Sequence, residues 1–121
     1  MQLGMMMIFV PNLEEAKRFY CDILSFPLKA ENENHLEFAH SGCSFIAFKC
    51  DRSGTAEDYS QVARSVFVFE VASIDQAMVE LRAKGVRFLH EEPAENELCR
   101  YAAFKDPFGN VHEISQSKSK H

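Results

Sequence analysis

The sequence predicts an α+β fold built from two tandem βαβββ modules, and three observations carry that expectation. Two segments open alike: an apolar run ending at Val10 leads into Pro11-Asn12-Leu13-Glu14-Glu15-Ala16, and Val66-Phe67-Val68-Phe69-Glu70-Val71 leads into Ala72-Ser73-Ile74-Asp75-Gln76-Ala77. Each opening is followed by apolar residues at helical spacing. Behind each helix come three short β-prone runs separated by turn residues.

Module one spans residues 1–50. Its helix opens at Asn12, with Glu15 three residues on, a loose capping box in which the Asn side chain takes up an orphan backbone amide. Ala16, Phe19, Tyr20, Ile23 and Leu24 then form one apolar stripe that belongs in a core. Strands are expected around Pro27 to Glu31, Leu36 to His40 and Ser44 to Lys49. Residues 51–61, with Asp51, Ser53, Gly54, Glu57 and Asp58, read as a polar linker. Module two spans 62–116. Ser73 with Gln76 repeats the cap, Ile74, Ala77, Met78 and Leu81 repeat the stripe, and Gly85 stops the helix. Strands follow around Val86 to His90, Arg100 to Phe104 and Val111 to Ser115. Glu91, Glu92, Glu95 and Glu97 read as a solvated acidic loop, and 117–121 as a frayed tail.

At 121 residues the chain suits a single domain with a sizeable core. Eleven phenylalanines and 46% apolar residues describe a globular protein, and a formal charge of −5 argues against a nucleic-acid partner. The apolar start has no basic leader and stops at Pro11, so neither a signal peptide nor a membrane span is expected, and the cytoplasm is the expected compartment. Cys21, Cys43, Cys50 and Cys99 lack the close paired spacing of a zinc site and are read as reduced, buried structural thiols.

The stretch Asp106-Pro107-Phe108-Gly109-Asn110-Val111-His112-Glu113-Ile114 reads as a tight turn feeding a terminal strand. Gly109 is expected at positive φ, and Glu113 falls mid-strand on the face it shares with Val111.

These features together resemble the vicinal oxygen chelate superfamily, which includes glyoxalases, extradiol dioxygenases and bleomycin-resistance proteins. The resemblance covers nearly the whole chain. It rests on the duplicated unit, on Phe19-Tyr20 followed by Leu24-Ser25-Phe26, and on the closing Asp106-Pro107-Phe108-Gly109-Asn110 with Glu113. It implies that the modules form a cup-shaped mixed sheet. Ser25 departs from the glycine usual at that point and puts the local turn in question.

Metal-dependent relatives commonly hold a divalent ion with a histidine early in an opening strand and a glutamate in a closing strand. Counting back from Val10 and Val71 places the opening-strand positions on Met5 and Val66. Aligning Gly42 with Gly109 places Ile46 opposite Glu113. Only Glu113 suits a hard or borderline ion, so no metal and no other cofactor are expected. His35, His40, His90 and His112 are the candidates for a relocated metal site, but His35 and His40 fall on opposite strand faces and His112 points away from Glu113, and a lone strand histidine is more often structural or exposed.

Strand parity then assigns the cup lining to Met5, Met7, Phe9, Ser44, Ile46, Phe48, Val66, Val68, Glu70, Val111 and Glu113, with Arg100 or a backbone amide as the partner of Glu113. An apolar lining with few polar points suits a small organic ligand. The expected function is a metal-free small-molecule binding protein of the bleomycin-resistance type. The alternatives are a metal-dependent lyase or dioxygenase with atypical ligands and a non-catalytic interaction subunit with a filled cup. A homodimer is expected from the resemblance and from the supply of Phe and Met.

Overall fold

A computed structural model describes residues 5–39, 42–50, 66–96 and 98–118; His40, Glu97, the expected linker and residues 119–121 lie outside the described residues. The chain divides into two compact units, Met1–Gly54 and Thr55–His121.

In the first unit, β1 (Met5–Val10), α1 (Leu13–Lys17, continuing as a π-helical segment Arg18–Ile23), β2 (Leu28–Glu31), β3 (His35–Phe38) and β4 (Ser44–Lys49) follow the expected order. The sheet runs β1-β4-β3-β2, with β1 parallel to β4 and the other pairs antiparallel. Asn12 Oδ1 accepts from the Glu15 amide at 2.9 Å, which closes the start of α1 as its sequence demands. The helical segment ends on Ser25, at φ +67°, and the Phe26 amide bonds back to Tyr20 O at 2.9 Å. The turn therefore keeps the left-handed conformation that a glycine would take without strain, and a serine holds it at about 1–2 kcal/mol.

One face of this sheet is covered. Ile8, Val10, Ala16, Phe19, Tyr20, Leu36, Phe38, Phe45 and Ala47 are all buried. Tyr20, Phe26, Phe38 and Phe45 form a ring cluster, with Phe45 5.2 Å from Phe38 and edge-on to Tyr20 and Phe26 at 5.7 Å each.

In the second unit, β5 (Phe67–Glu70), α2 (Ile74–Ala83), β6 (Arg87–Phe88), β7 (Ala94–Glu95), β8 (Cys99–Lys105) and β9 (Val111–Ser117) build a sheet ordered β5-β9-β8-β6, with β7 also on β8. Ser73 Oγ accepts from the Gln76 amide at 3.3 Å, and Gln116 Oε1 reaches the Ile74 amide at 2.8 Å, so a strand side chain adds a second cap. Gly85, at φ +93°, ends the helix. Ile74, Met78, Val86, Ala102, Phe104, His112 and Ile114 are buried between α2 and the sheet.

Four expectations differ from the structure. The strand expected over Val86 to His90 is only two residues long, and part of the acidic stretch is a strand, because Ala94 and Glu95 pair with Tyr101 and Arg100. The expected tail does not begin at Ser117: β9 runs through that residue, and the Lys118 amide donates to Leu98 O at 3.0 Å while its Nζ meets Glu95 at 2.7 Å. The four cysteines are free, as read, but each is half-buried rather than buried. Burial still pushes the Cys21 thiol up, away from the reactive thiolate.

Candidate functional site

The site is organised by the turn between β8 and β9. Asp106 is buried, and its Oδ1 accepts from the Phe108 and Asn110 amides at 2.9 and 2.8 Å while Oδ2 accepts from Asn110 Nδ2 at 2.8 Å. A carboxylate facing three donors closes a loop whose backbone would otherwise be unsatisfied. Gly109 sits at φ +91°, the expected left-handed value, with its amide on Asp106 O at 3.2 Å. Gly109→Ala should therefore lower stability by about 1 kcal/mol or more in a denaturant titration. An unchanged midpoint would show that the turn tolerates a side chain and can relax out of that geometry.

This turn sets the register beyond it. Lys105 pairs with Val111, so Glu113 lies beside Ala103 on one side and, across the parallel pair, beside Val68 on the other. Glu70 pairs with Ser115 and Tyr101 also pairs with Ser115, so the helix-free face of this sheet carries Val68, Glu70, Tyr101, Ala103, Lys105, Val111, Glu113 and Ser115. Val68 is 53% exposed and Glu113 is half-buried. Val66 lies one residue before β5, not within it as expected.

Arg100 is the correction at this site. The register puts it on β8 next to Gln116, on the opposite face from Ala103, where it forms a two-pronged pair with Asp75 at 3.0 and 3.2 Å. That hydrogen bond holds the Asp75 carboxyl below its usual range. Arg100 thus ties α2 to its sheet and does not line the face that carries Glu113. Sequence reading also missed Tyr101, Lys105 and Ser115. The five-residue turn 106–110 was the signal available, since Lys105 opposite Val111 puts odd-numbered β8 residues beside Glu113.

In the first unit the corresponding face is made by ranks across three strands. Met5 stands beside Ser44, Met7 beside Ile46, which pairs in turn with Glu37, and Phe9 beside Phe48, which pairs in turn with His35. Met5, Met7 and Phe9 are 45%, 42% and 58% exposed, whereas Ile46 is buried. His35 and Phe48 have ring centroids 5.2 Å apart, which ends the rank on an aromatic contact.

On the other face of β9, His112 is buried among Phe67 (5.8 Å, stacked), Phe69 (5.3 Å) and Phe104 (5.6 Å). Burial lowers its pKa to about 4, so it sits in the core as a neutral ring. It points away from Glu113, as strand parity requires.

The four positions that the resemblance assigns to metal ligands, Met5, Ile46, Val66 and Glu113, hold a thioether, two hydrocarbon side chains and one carboxylate. Met5, Ile46 and Val66 offer a hard or borderline divalent ion nothing, so this donor set does not fit the ion. Among the described residues, no three His, Cys, Asp or Glu side chains come together as a metal-binding group.

A duplicated strand-helix-strands unit with a parallel pair of opening and closing strands in each half defines a class, and the sequence agrees with it. The chain belongs to the Glyoxalase/Bleomycin resistance protein/Dioxygenase superfamily, whose family model matches residues 2–114. Solved structures share the fold. An antibiotic binding protein from Streptomyces sp. CB03234 is 22% identical with a TM-score of 0.74, covering 98% of this chain and 97% of that one. A genomically encoded fosfomycin resistance protein from Listeria monocytogenes is 18% identical with a TM-score of 0.78, covering 98% and 94%. A lactoylglutathione lyase from Agrobacterium tumefaciens is 16% identical with a TM-score of 0.75, covering 97% and 94%. No curated protein matches the sequence. Among the described residues, no helix is long and apolar enough to cross a membrane.

Proposed function

We propose that this protein is a metal-free, cytoplasmic small-molecule binding protein that holds an organic ligand on the helix-free faces of its sheets. The observation that carries the reading is the row Met5, Met7, Phe9, three large apolar side chains each more than 40% exposed along one strand. Exposed apolar residues aligned on one face mark a surface that a ligand or partner covers. Half-buried Phe48 extends that row. On the second sheet, Val66, Val68 and Val111 provide apolar area around Glu70 and Glu113, which would anchor a donor or cationic group. The names of the fold neighbours, an antibiotic binding protein among them, agree with ligand binding.

The reading makes a prediction about metal. With one carboxylate at four positions, nickel, manganese or zinc should bind weakly and unselectively, and none should raise the melting temperature specifically. The check is elemental analysis of protein purified without a polyhistidine tag, repeated on Glu113→Gln, alongside thermal shifts with the three ions and with a panel of planar apolar amines. Near-unit metal that disappears in Glu113→Gln would overturn the binding-protein reading in favour of a metal-dependent lyase or dioxygenase. A panel in which no amine shifts the transition would favour the interaction subunit.

We further propose a homodimer, on the strength of the resemblance and the remaining exposed apolar side chains, Val79, Leu89 and Leu98. Light scattering at micromolar concentration should return twice the 13.8 kDa chain mass, and the monomer mass would count against it.

A further inference from the structure

The edge of β8 is covered by two short strands that do not share one register. Phe88 pairs with Phe104 and Ala94 with Tyr101, so five residues, 89–93, lie against only two, Ala102 and Ala103. A three-residue excess of this kind is a large bulge, and a bulge leaves edge groups unpaired unless something replaces the missing strand. At Ala103 the replacement is a side chain. The Leu89 amide donates to Ala103 O at 2.7 Å, but the Ala103 amide, whose residue is fully buried, donates to His90 Nδ1 at 2.9 Å. The imidazole occupies the place of a strand carbonyl.

Two more contacts hold the bulge. Arg82 on α2 lies over the Phe88 ring at 5.3 Å and donates through Nη2 to the carbonyls of His90 and Glu91 at 2.9 and 2.8 Å. Tyr101 meets the His90 ring edge-on at 5.9 Å. Of the charged and titratable groups, Arg82 from α2 and Tyr101 from β8 contact His90, Glu91 and Glu92 follow it in the bulge, and the register places Lys105 of β8 and, across Ala103, Glu113 of β9 on the same face as Tyr101.

We infer that His90 is a proton-operated latch that fastens the 89–93 bulge to the edge of β8. A backbone amide always donates, so Nδ1 must carry a lone pair and the neutral ring must hold its proton on Nε2. Protonation turns Nδ1 into a donor facing a donor. The Ala103 amide then loses its acceptor, and the bulge lets go of β8 while the rest of the sheet keeps its ladder. The contacts from Arg82 to the His90 and Glu91 carbonyls do not titrate and keep that backbone tethered to α2.

The test follows amide hydrogen exchange and histidine ring nitrogen shifts by NMR at about pH 7.5 and about pH 5, with the Ile114 amide as the reference for global opening. At the higher pH, His90 should be the Nε2–H tautomer. At the lower pH, protection of Ala103 should fall roughly tenfold or more relative to Ile114. His90→Asn, whose side-chain oxygen stands near the place of Nδ1 and does not titrate, should keep Ala103 protected at both values. His90→Leu should leave it unprotected at both. The inference is overturned if Ala103 stays protected while His90 becomes charged, if His90 remains neutral at the lower pH, or if its proton lies on Nδ1.

Discussion

Acidification from pH 6.5 to pH 4 should cost the fold about 3 kcal/mol through His112 alone. The unfolded chain takes up a proton near the ordinary value of 6.5, whereas the folded ring, buried among Phe67, Phe69 and Phe104, takes one up only near pH 4. At pH 7.5 both states are neutral and the term vanishes. Between the two values the unfolded state holds the extra proton, so stability falls as pH falls, by about 1.4 kcal/mol per unit, and below pH 4 the loss stops growing. Carboxylates add their own acid dependence, so the measurement is a difference. Denaturant titrations of the native chain and of His112→Phe across this range should diverge steadily, with the variant gaining on the native chain as pH drops. A ring resonance of His112 that titrates near pH 6.5, or parallel stability curves, would contradict the buried neutral ring.

Phe45→Ala should lower stability by about 3–5 kcal/mol, a large part of what a domain of this size commands. Phe45 is fully buried on β4 and meets Phe38, Tyr20 and Phe26 within 5.2 to 5.7 Å, two of those contacts edge-on. Removing the ring takes away its transfer energy and leaves a void walled by three stiff aromatics that cannot close on it. Urea unfolding at pH 7.5, where His112 contributes nothing, reads the loss directly, and Phe45→Leu should recover much of it. A loss below about 1 kcal/mol would mean that this cluster is loosely packed.

Much of this architecture was legible in the residues themselves because its causes are local. Asn12 and Ser73 cap their helices through amides three residues away, so spacing alone located both starts. Gly109 adopts positive φ because its turn requires it, and Glu113 and His112 take opposite faces because adjacent strand residues must. Aligning Gly42 with Gly109 put Ile46 and Glu113 at matching positions, and the ranks Met7 with Ile46 and Val68 with Glu113 fall at equivalent places in the two units.

Other features depended on contacts between residues far apart in the chain. Arg100 looked like a partner for Glu113 because both are charged and both sit on late strands, yet a five-residue turn set the register that sent it to Asp75 instead. Ala94 and Glu95 read as solvated loop, since two polar-flanked residues carry no periodic signal, and only the free edge of β8 made them a strand. His90 showed nothing in sequence that separated it from a surface histidine. Its role exists because the bulge leaves one buried amide without a carbonyl, and that vacancy is created by the register of two strands, not by any residue near His90 in the chain.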